Sequence, residues 1–242
     1  ASNPECRIHS IAQRWSVLSG AGEAKHACMA MDAVDVQRVR REGALVQLLD
    51  APFDHSKPDP GYIKGYLRGV RENGGQYTHA AVWAAMAFAS LGDAERAWQL
   101  FTMINPVNHA KSADAIAVYK TEPYVLASDV YAFAPHVGRG GWTWYTGSAG
   151  WMYQFIVESL LGLWLEGDKL HVAPCLRADW TTFKLHYRYR ETVYHISVLQ
   201  ISAADGEPRV TVDGVERKDR TIPLVDDRQE HVVAVSMYRA HS

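Results

Sequence analysis

The chain has 242 residues, of which 48% are apolar and 21% charged, a composition that fits one large domain or a domain with a smaller companion and excludes disorder. Twenty-five Lys and Arg against 27 Asp and Glu leave a formal net charge of -2, with no basic excess for a phosphate backbone, so nucleic acid is not an expected partner. The longest strongly apolar stretch, 155–165, is broken by Glu158 and too short to cross a bilayer.

No charged and then apolar leader opens the chain, and the start at Ala1-Ser-Asn-Pro-Glu suggests a processed, trimmed or incomplete polypeptide. Cys6, Cys28 and Cys175 are odd in number and widely spaced, which makes reduced thiols in a cytoplasmic setting the expectation. There is no HExxH, HxH or CxxC pattern among the 11 histidines and 3 cysteines, so no metal site is expected.

In chain order, Ile8, Ile11, Ala12, Trp15 and Leu18 fall on one helical stripe, as do Val82, Met86 and Ala89. Asp93 is placed to cap a helix running through Ala97, Leu100 and Phe101 to about Ile104, where Asn105-Pro106 ends it. A last long helix is predicted over 147–166, burying Trp151, Met152, Phe155, Ile156, Leu160 and Leu163, with Gly167 as its C-cap. After Gly167 the period changes to two. The runs 183–189 and 192–198 read as a hairpin turning at Arg190-Glu191, and 210–214 and 231–236 read as further short strands. The expected fold is mainly α with a C-terminal antiparallel, sandwich-like β domain, divided as 1–167 and 168–242.

Long Gly- and Pro-rich segments, 50–75 and 134–142, separate the helices, and such loops are where binding and catalysis concentrate. Arg71-Glu-Asn-Gly-Gly-Gln-Tyr-Thr-His79 packs a cation, a carboxylate, two amides, a phenol and an imidazole ahead of an amphipathic helix. Among them Glu72, Gln76, Tyr77 and His79 are candidate binding residues, since Gly74-Gly75 lets backbone approach a ligand closely. The run 138–151 holds Trp142, Trp144, Tyr145 and Trp151 among five glycines. Aromatic faces stack on the C–H face of a sugar, and Thr146, Gly147 and Ser148 place hydroxyls and free N–H groups at a helix start, an anion site suited to phosphate. In Glu122-Pro-Tyr-Val the proline holds Glu122 in extended backbone, which could aim it at a sugar hydroxyl. Asp54 and Asp59 lie in a similarly polar run and could act as carboxylates in a cleft.

These segments resemble the C-terminal part of cyclic β-1,2-glucan synthases, within the inverting glycoside phosphorylases that act on cellobiose, chitobiose and 1,2-β-oligoglucans. The resemblance rests on 10–20, Gly61-Tyr-Ile-Lys-Gly-Tyr66, 71–79, Glu122-Pro-Tyr-Val, 136–152, Pro174-Cys175 and Asp179-Trp180. It implies part of an (α/α)6 barrel followed by a β domain. It also implies attack of inorganic phosphate, the co-substrate in place of any cofactor, on the anomeric carbon of a β-glucan or β-gluco-oligosaccharide. Carried over by position, His79, Thr146, Gly147 and Ser148 would hold phosphate. Glu122, Tyr124 and Ser128 would lie near the sugar, and Gln76 and Trp144 would border it.

The family's general-acid Asp belongs to an Asp-Trp-Asn-Asp-type motif that this sequence lacks, so no residue here is expected to be the acid. An Arg that contacts phosphate is likewise expected upstream. Leu67-Arg68 stands where relatives carry two prolines, and His9 where an Asp is usual. The segment would then be inactive alone and located in the cytoplasm, tied to the inner membrane only through regions upstream. An incomplete barrel would expose an apolar helix face that includes Trp15 and Val82, to be covered by the rest of the enzyme or by self-association. A non-catalytic carbohydrate-binding or scaffold module is the alternative, and a hydrolase using water is disfavoured by the anion site.

Overall fold

The computed structural model describes residues 5–239, and the chain divides into two compact units, one ending at Phe155 and the other starting at Ile156. The first unit is helical: α1 (Ser10–Leu18), α2 (Ala24–Arg38), α3 (Thr78–Ser90), α4 (Ala94–Ile104), α5 (Ala113–Tyr119) and α6 (Thr146–Gln154). Two-residue ribbons join them: β1 (Val39–Arg40) pairs with β2 (Leu45–Val46), and β3 (Gln76–Tyr77) with β4 (Asp129–Val130).

α4 forms where its sequence signals place it. The Asp93 carboxylate accepts the Arg96 N–H at 3.0 Å, one face buries Ala97, Leu100 and Ile104, and the helix stops before Asn105-Pro106. α3 is apolar on every side and buried on nearly every side, with Ala80, Ala81, Val82, Ala84, Ala85, Ala87 and Phe88 all in the interior. It packs against α1, α4 and α6. The expectation that Val82 is exposed is therefore corrected, because three helices cover α3.

α1 turns only part of its apolar stripe inward, Ile11 packing against Leu48, Leu49 and Ala80. It buries Ser10 and Arg14, whereas Trp15 remains 37% exposed. The Ser10 hydroxyl donates to the Leu48 carbonyl at 2.7 Å and the Arg14 guanidinium to the Ala80 carbonyl of α3. Arg14 is 0% exposed, its Nε and Nη2 have no partner, and burial lowers its pKa to about 9, with the nearby Arg38 charge adding to the effect. A buried cation with only a carbonyl partner costs more desolvation than it regains. Arg14→Met is accordingly expected to stabilise the chain by about 1 kcal/mol, measured by urea unfolding; a lower midpoint would show that the guanidinium holds α1 to α3.

The predicted last helix ends early. α6 passes into a π-helical turn, Phe155–Leu160, and Gly162 at φ +68 breaks the run. Leu163–Glu166 then forms a strand, β5, and Gly167 (φ +62) turns it into β6 (Lys169–Val172) rather than capping a helix.

The second unit continues with β7 (Thr182–Tyr189), β8 (Thr192–Ile201), β9 (Arg209–Val212), β10 (Val215–Glu216), β11 (Ile222–Pro223) and β12 (Glu230–Tyr238). The β7–β8 hairpin has the predicted turn, with Arg190 at φ +52 and Tyr189 opposite Thr192. Five strands form one sheet in the order β10-β9-β12-β8-β7, and three form a second in the order β11-β6-β5. The larger sheet is mixed: β12 pairs with β8 in parallel from Glu230↔Val193 to Tyr238↔Ile201, which corrects the expected purely antiparallel arrangement. Both sheets contribute to one core, Leu163, Leu170 and Ile222 packing with Ile196, Val198, Val233 and Val235. Tyr194 is buried in it, its hydroxyl accepting the Val225 N–H at 2.7 Å. Among the described residues no helix is long and apolar enough to cross a membrane.

Candidate functional site

Three loop segments of the first unit are stitched together by backbone hydrogen bonds. In the β3–β4 ribbon, Gln76 lies opposite Val130 and Tyr77 opposite Asp129. Ser128 is the junction: its carbonyl accepts the Thr78 N–H at 2.9 Å, at the start of α3, and its N–H donates to the Trp142 carbonyl at 2.7 Å. Gly141 N–H donates to the Asp129 carbonyl at 2.9 Å. The polar run before α3 and the aromatic run before α6 thus share one scaffold, although far apart in sequence.

His79, the second residue of α3, sits where those runs meet. Its ring lies 4.7 Å from that of Trp83 and 6.0 Å from those of Trp151 and Tyr77, the last stacked. A methyl group placed on Gly147 would lie 3.3 Å from His79 Cε1 and 3.5 Å from Nδ1, so the first turn of α6 is in contact with the imidazole. Nε2 of His79 is buried without a partner, and burial lowers the His79 pKa, so the imidazole is held neutral. Thr146 and Gly147 open α6 and are exposed, while Ser148 is buried and its hydroxyl reaches the Tyr145 carbonyl at 3.4 Å. Tyr145, the N-cap, offers no side-chain cap to the helix, which leaves its first N–H groups uncapped by a side chain.

The candidate sugar residues fall into an exposed edge and a buried floor. At the edge, Trp144 Nε1 donates to Glu122 Oε1 at 2.9 Å, which lowers the Glu122 pKa, and Tyr124 meets Trp144 edge-on at 6.4 Å. Trp142 is also exposed, stacking on Tyr145 at 5.6 Å with the Arg71 guanidinium 4.1 Å above its own ring. Glu72 lies 3.5 Å from Arg71 Nε, and its Oε2 is buried without a hydrogen bond. In the floor, the Gln76 amide is committed inside the protein, accepting the Val46 N–H at 2.8 Å and donating to Thr78 Oγ1 at 3.2 Å. The Ser128 hydroxyl turns to Asp129 at 3.4 Å.

Two residues of this cluster had no assigned role in the sequence. Arg71 was visible only as the cation of its motif. Asp129 gave no signal in the sequence, since an acidic residue in a loop usually faces water. It is 1% exposed, and its Oδ1 accepts the Trp142 N–H at 3.1 Å. A Cβ on Gly141 would overlap that oxygen at 2.3 Å, so only glycine lets the carboxylate in. Burial raises the Asp129 pKa against the opposing Trp142 hydrogen bond and Arg71 charge. The folded state then keeps a proton that the unfolded chain has already released, so this group's contribution to stability falls as pH rises through the window above the ordinary carboxyl range. Asp129→Asn is expected to flatten that slope; urea midpoints measured between pH 4 and 7 that keep the same slope would refute it.

Comparison with known proteins places these residues in a family. The chain is 50% identical over 219 residues to the cyclic beta-(1,2)-glucan synthase NdvB of Rhizobium meliloti (strain 1021), covering 90% of this chain and 8% of that protein. It is 28% identical over 235 residues to the solabiose phosphorylase of Paenibacillus borealis, covering 96% of this chain and 30% of that one. It is 30% identical over 239 residues to the N,N'-diacetylchitobiose phosphorylase of Vibrio proteolyticus, covering 97% and 29% respectively. The chain therefore spans less than a third of the length of each of these relatives. Residues 1–162 match the profile described as the glycosyl hydrolase 94 superfamily, catalytic domain, and the chain belongs to that superfamily.

Proposed function

We propose that this chain is a segment of a larger β-glucan-processing enzyme, supplying phosphate and sugar contacts for inverting phosphorolysis of β-glucosides. In that reaction a phosphate oxygen forms a bond to the anomeric carbon as the glycosidic C–O bond breaks. The electron pair leaves on the aglycone oxygen, which takes a proton from a carboxylic acid, and glucose 1-phosphate of inverted configuration results. That acid comes from outside this sequence. Residues 1–167, as divided in the sequence, would form part of an (α/α)6 barrel, with 168–242 as the β domain beside it.

The observation that carries this reading is the contact between His79 and the first turn of α6 at Gly147. An imidazole whose Cε1–Nδ1 edge faces the start of a helix lacking a side-chain cap is suited to an oxyanion. Trp142, Trp144, Tyr124 and Glu122 would take the sugar, and Glu72, Gln76, Tyr77 and Ser128 would shape its site. The relatives named above are a glucan synthase and two phosphorylases, which supports a β-glucan and inorganic phosphate as ligands.

The test is release of glucose 1-phosphate from β-1,2-glucan, by this chain alone and then joined to a segment bearing the acid. Without the acid the rate should fall by on the order of 10²–10⁴. Robust turnover by the isolated chain would refute the assignment of the acid elsewhere. Oligosaccharide binding without phosphate synergy would instead favour a carbohydrate-binding module.

Trp15 of α1 and Met29 and Val36 of α2 are exposed. Because the relatives are more than three times as long, the rest of the enzyme would cover these side chains. The isolated chain is then expected to self-associate in size-exclusion chromatography, and a monodisperse monomer at high concentration would count against that cover.

A further inference from the structure

Outside the candidate site, the β7–β8 hairpin carries a pair of histidines on the face turned away from the core. His186 and His195 lie directly opposite each other, with ring centroids 4.7 Å apart and planes at 81°. Their Nδ1 atoms approach to 2.6 Å, so one ring carries the proton between them and the other offers a lone pair. Glu230 of β12 decides which: its Oε2 accepts the N–H of His195 Nε2 at 3.1 Å. With its proton held there, His195 presents its Nδ1 lone pair toward His186.

We propose that His186 and His195 form an open chelate for a late divalent transition ion (Cu²⁺, Ni²⁺ or Zn²⁺), both binding through Nδ1, with Glu230 as the carboxylate that orients His195. Neutral imidazole is the preferred nitrogen ligand of these ions, and a carboxylate on the far nitrogen of a ligating His is the usual supporting contact. With metal–nitrogen bonds of about 2.0–2.1 Å, two nitrogens on one ion stand about 2.9–3.4 Å apart. From 2.6 Å the pair must therefore open by about 0.3–0.8 Å, within reach of side-chain rotations on an exposed face. His186 changes from the Nδ1–H to the Nε2–H tautomer by exchange with water, so no net proton is released. Water completes the coordination, since among the described residues no group of three or more His, Cys, Asp or Glu side chains could hold a metal ion. Lys184 and Arg188 flank His186 on β7, and Glu191 pairs with Arg188 at 3.5 Å. The flanking cations weaken the site, and Glu230 opposes them.

The experiment is calorimetric titration of the metal-free chain with Ni²⁺, together with electron paramagnetic resonance of the Cu²⁺ form. Wild type is expected to bind one ion that His186→Ala and His195→Ala each lose, with two imidazole nitrogens in the Cu²⁺ spectrum. Glu230→Gln should weaken binding by on the order of 10-fold. The control His171→Ala, on the other sheet, should leave binding unchanged. Ni²⁺ should raise the thermal midpoint of wild type only, because an ion bound to the folded chain alone stabilises it by mass action. His186→Gln provides a second variant that keeps a polar side chain on the strand. Undiminished binding by the His186 and His195 variants, or no ion bound by wild type, would overturn the proposal.

Discussion

His79→Ala is expected to remove phosphate dependence from any enzyme containing this chain, lowering glucose 1-phosphate formation by on the order of 10²–10³-fold, as loss of one oxyanion donor does. The substitution deletes an imidazole whose Cε1 and Nδ1 face the opening of α6 and whose Nε2 is buried without a partner. Burial alone lowers the His79 pKa. As pH falls from the ordinary histidine value, the unfolded chain takes up a proton before the folded one does. This group's contribution to stability is therefore present above that value and is lost as pH falls. A phosphate anion reverses the balance by favouring the charged ring. The His79 pKa should rise on adding phosphate, read from its imidazole resonance, and a titration curve that ignores phosphate would sink the assignment.

Gly162→Ala should be the most destabilising single methyl in the second unit. A Cβ there would lie 2.1 Å from the Ala173 carbonyl carbon and 2.2 Å from both its oxygen and Pro174 N. These are backbone atoms, held by the Ala173 N–H bond to the Gly162 carbonyl at 2.8 Å and the Cys175 N–H bond to the Leu160 carbonyl at 3.0 Å. They cannot rotate aside, so β5 and β6 would have to part. A loss of roughly 3–5 kcal/mol follows from overpacking and the left-handed backbone together. Gly167→Ala is the matched control: φ is +62 and nothing lies within 4 Å of the added carbon. It should cost only about 1 kcal/mol, the penalty for a side chain at positive φ. Equal losses in urea unfolding would mean that the clash at Gly162 relaxes.

Local signals were legible where the residues that decide an element are neighbours in sequence. Asp93 and Asn105-Pro106 bound α4 through contacts only a few residues long. Arg190-Glu191 turns the β7–β8 hairpin, whose alternation of half-buried and exposed residues fixes its register. The last helix stops short of its expected end because an apolar run suits either period, and of the two glycines that could end it, Gly162 is the one that breaks the run. Periodicity did not show what α1 buries most deeply: Trp15 is exposed, as expected, but the fully buried residues are Ser10 and Arg14, whose partners are the distant carbonyls of Leu48 and Ala80.

The candidate site divides in the same way. Its residue types, and the likeness to inverting glycoside phosphorylases, were present in the order of amino acids, because a family motif is a string. Which of those residues meet was decided by the β3–β4 ribbon and the packing of α3 on α6, which bring Gly147 against His79 and sink Asp129 beneath Trp142. The same holds for β12, whose alternation announces a strand but whose parallel pairing with β8 was settled by the sheet. Sequence alone determined the elements bounded by short-range contacts and the chemistry available to the loops. Tertiary structure decided burial, strand direction and proximity, since each depends on contacts between segments that no local pattern encodes.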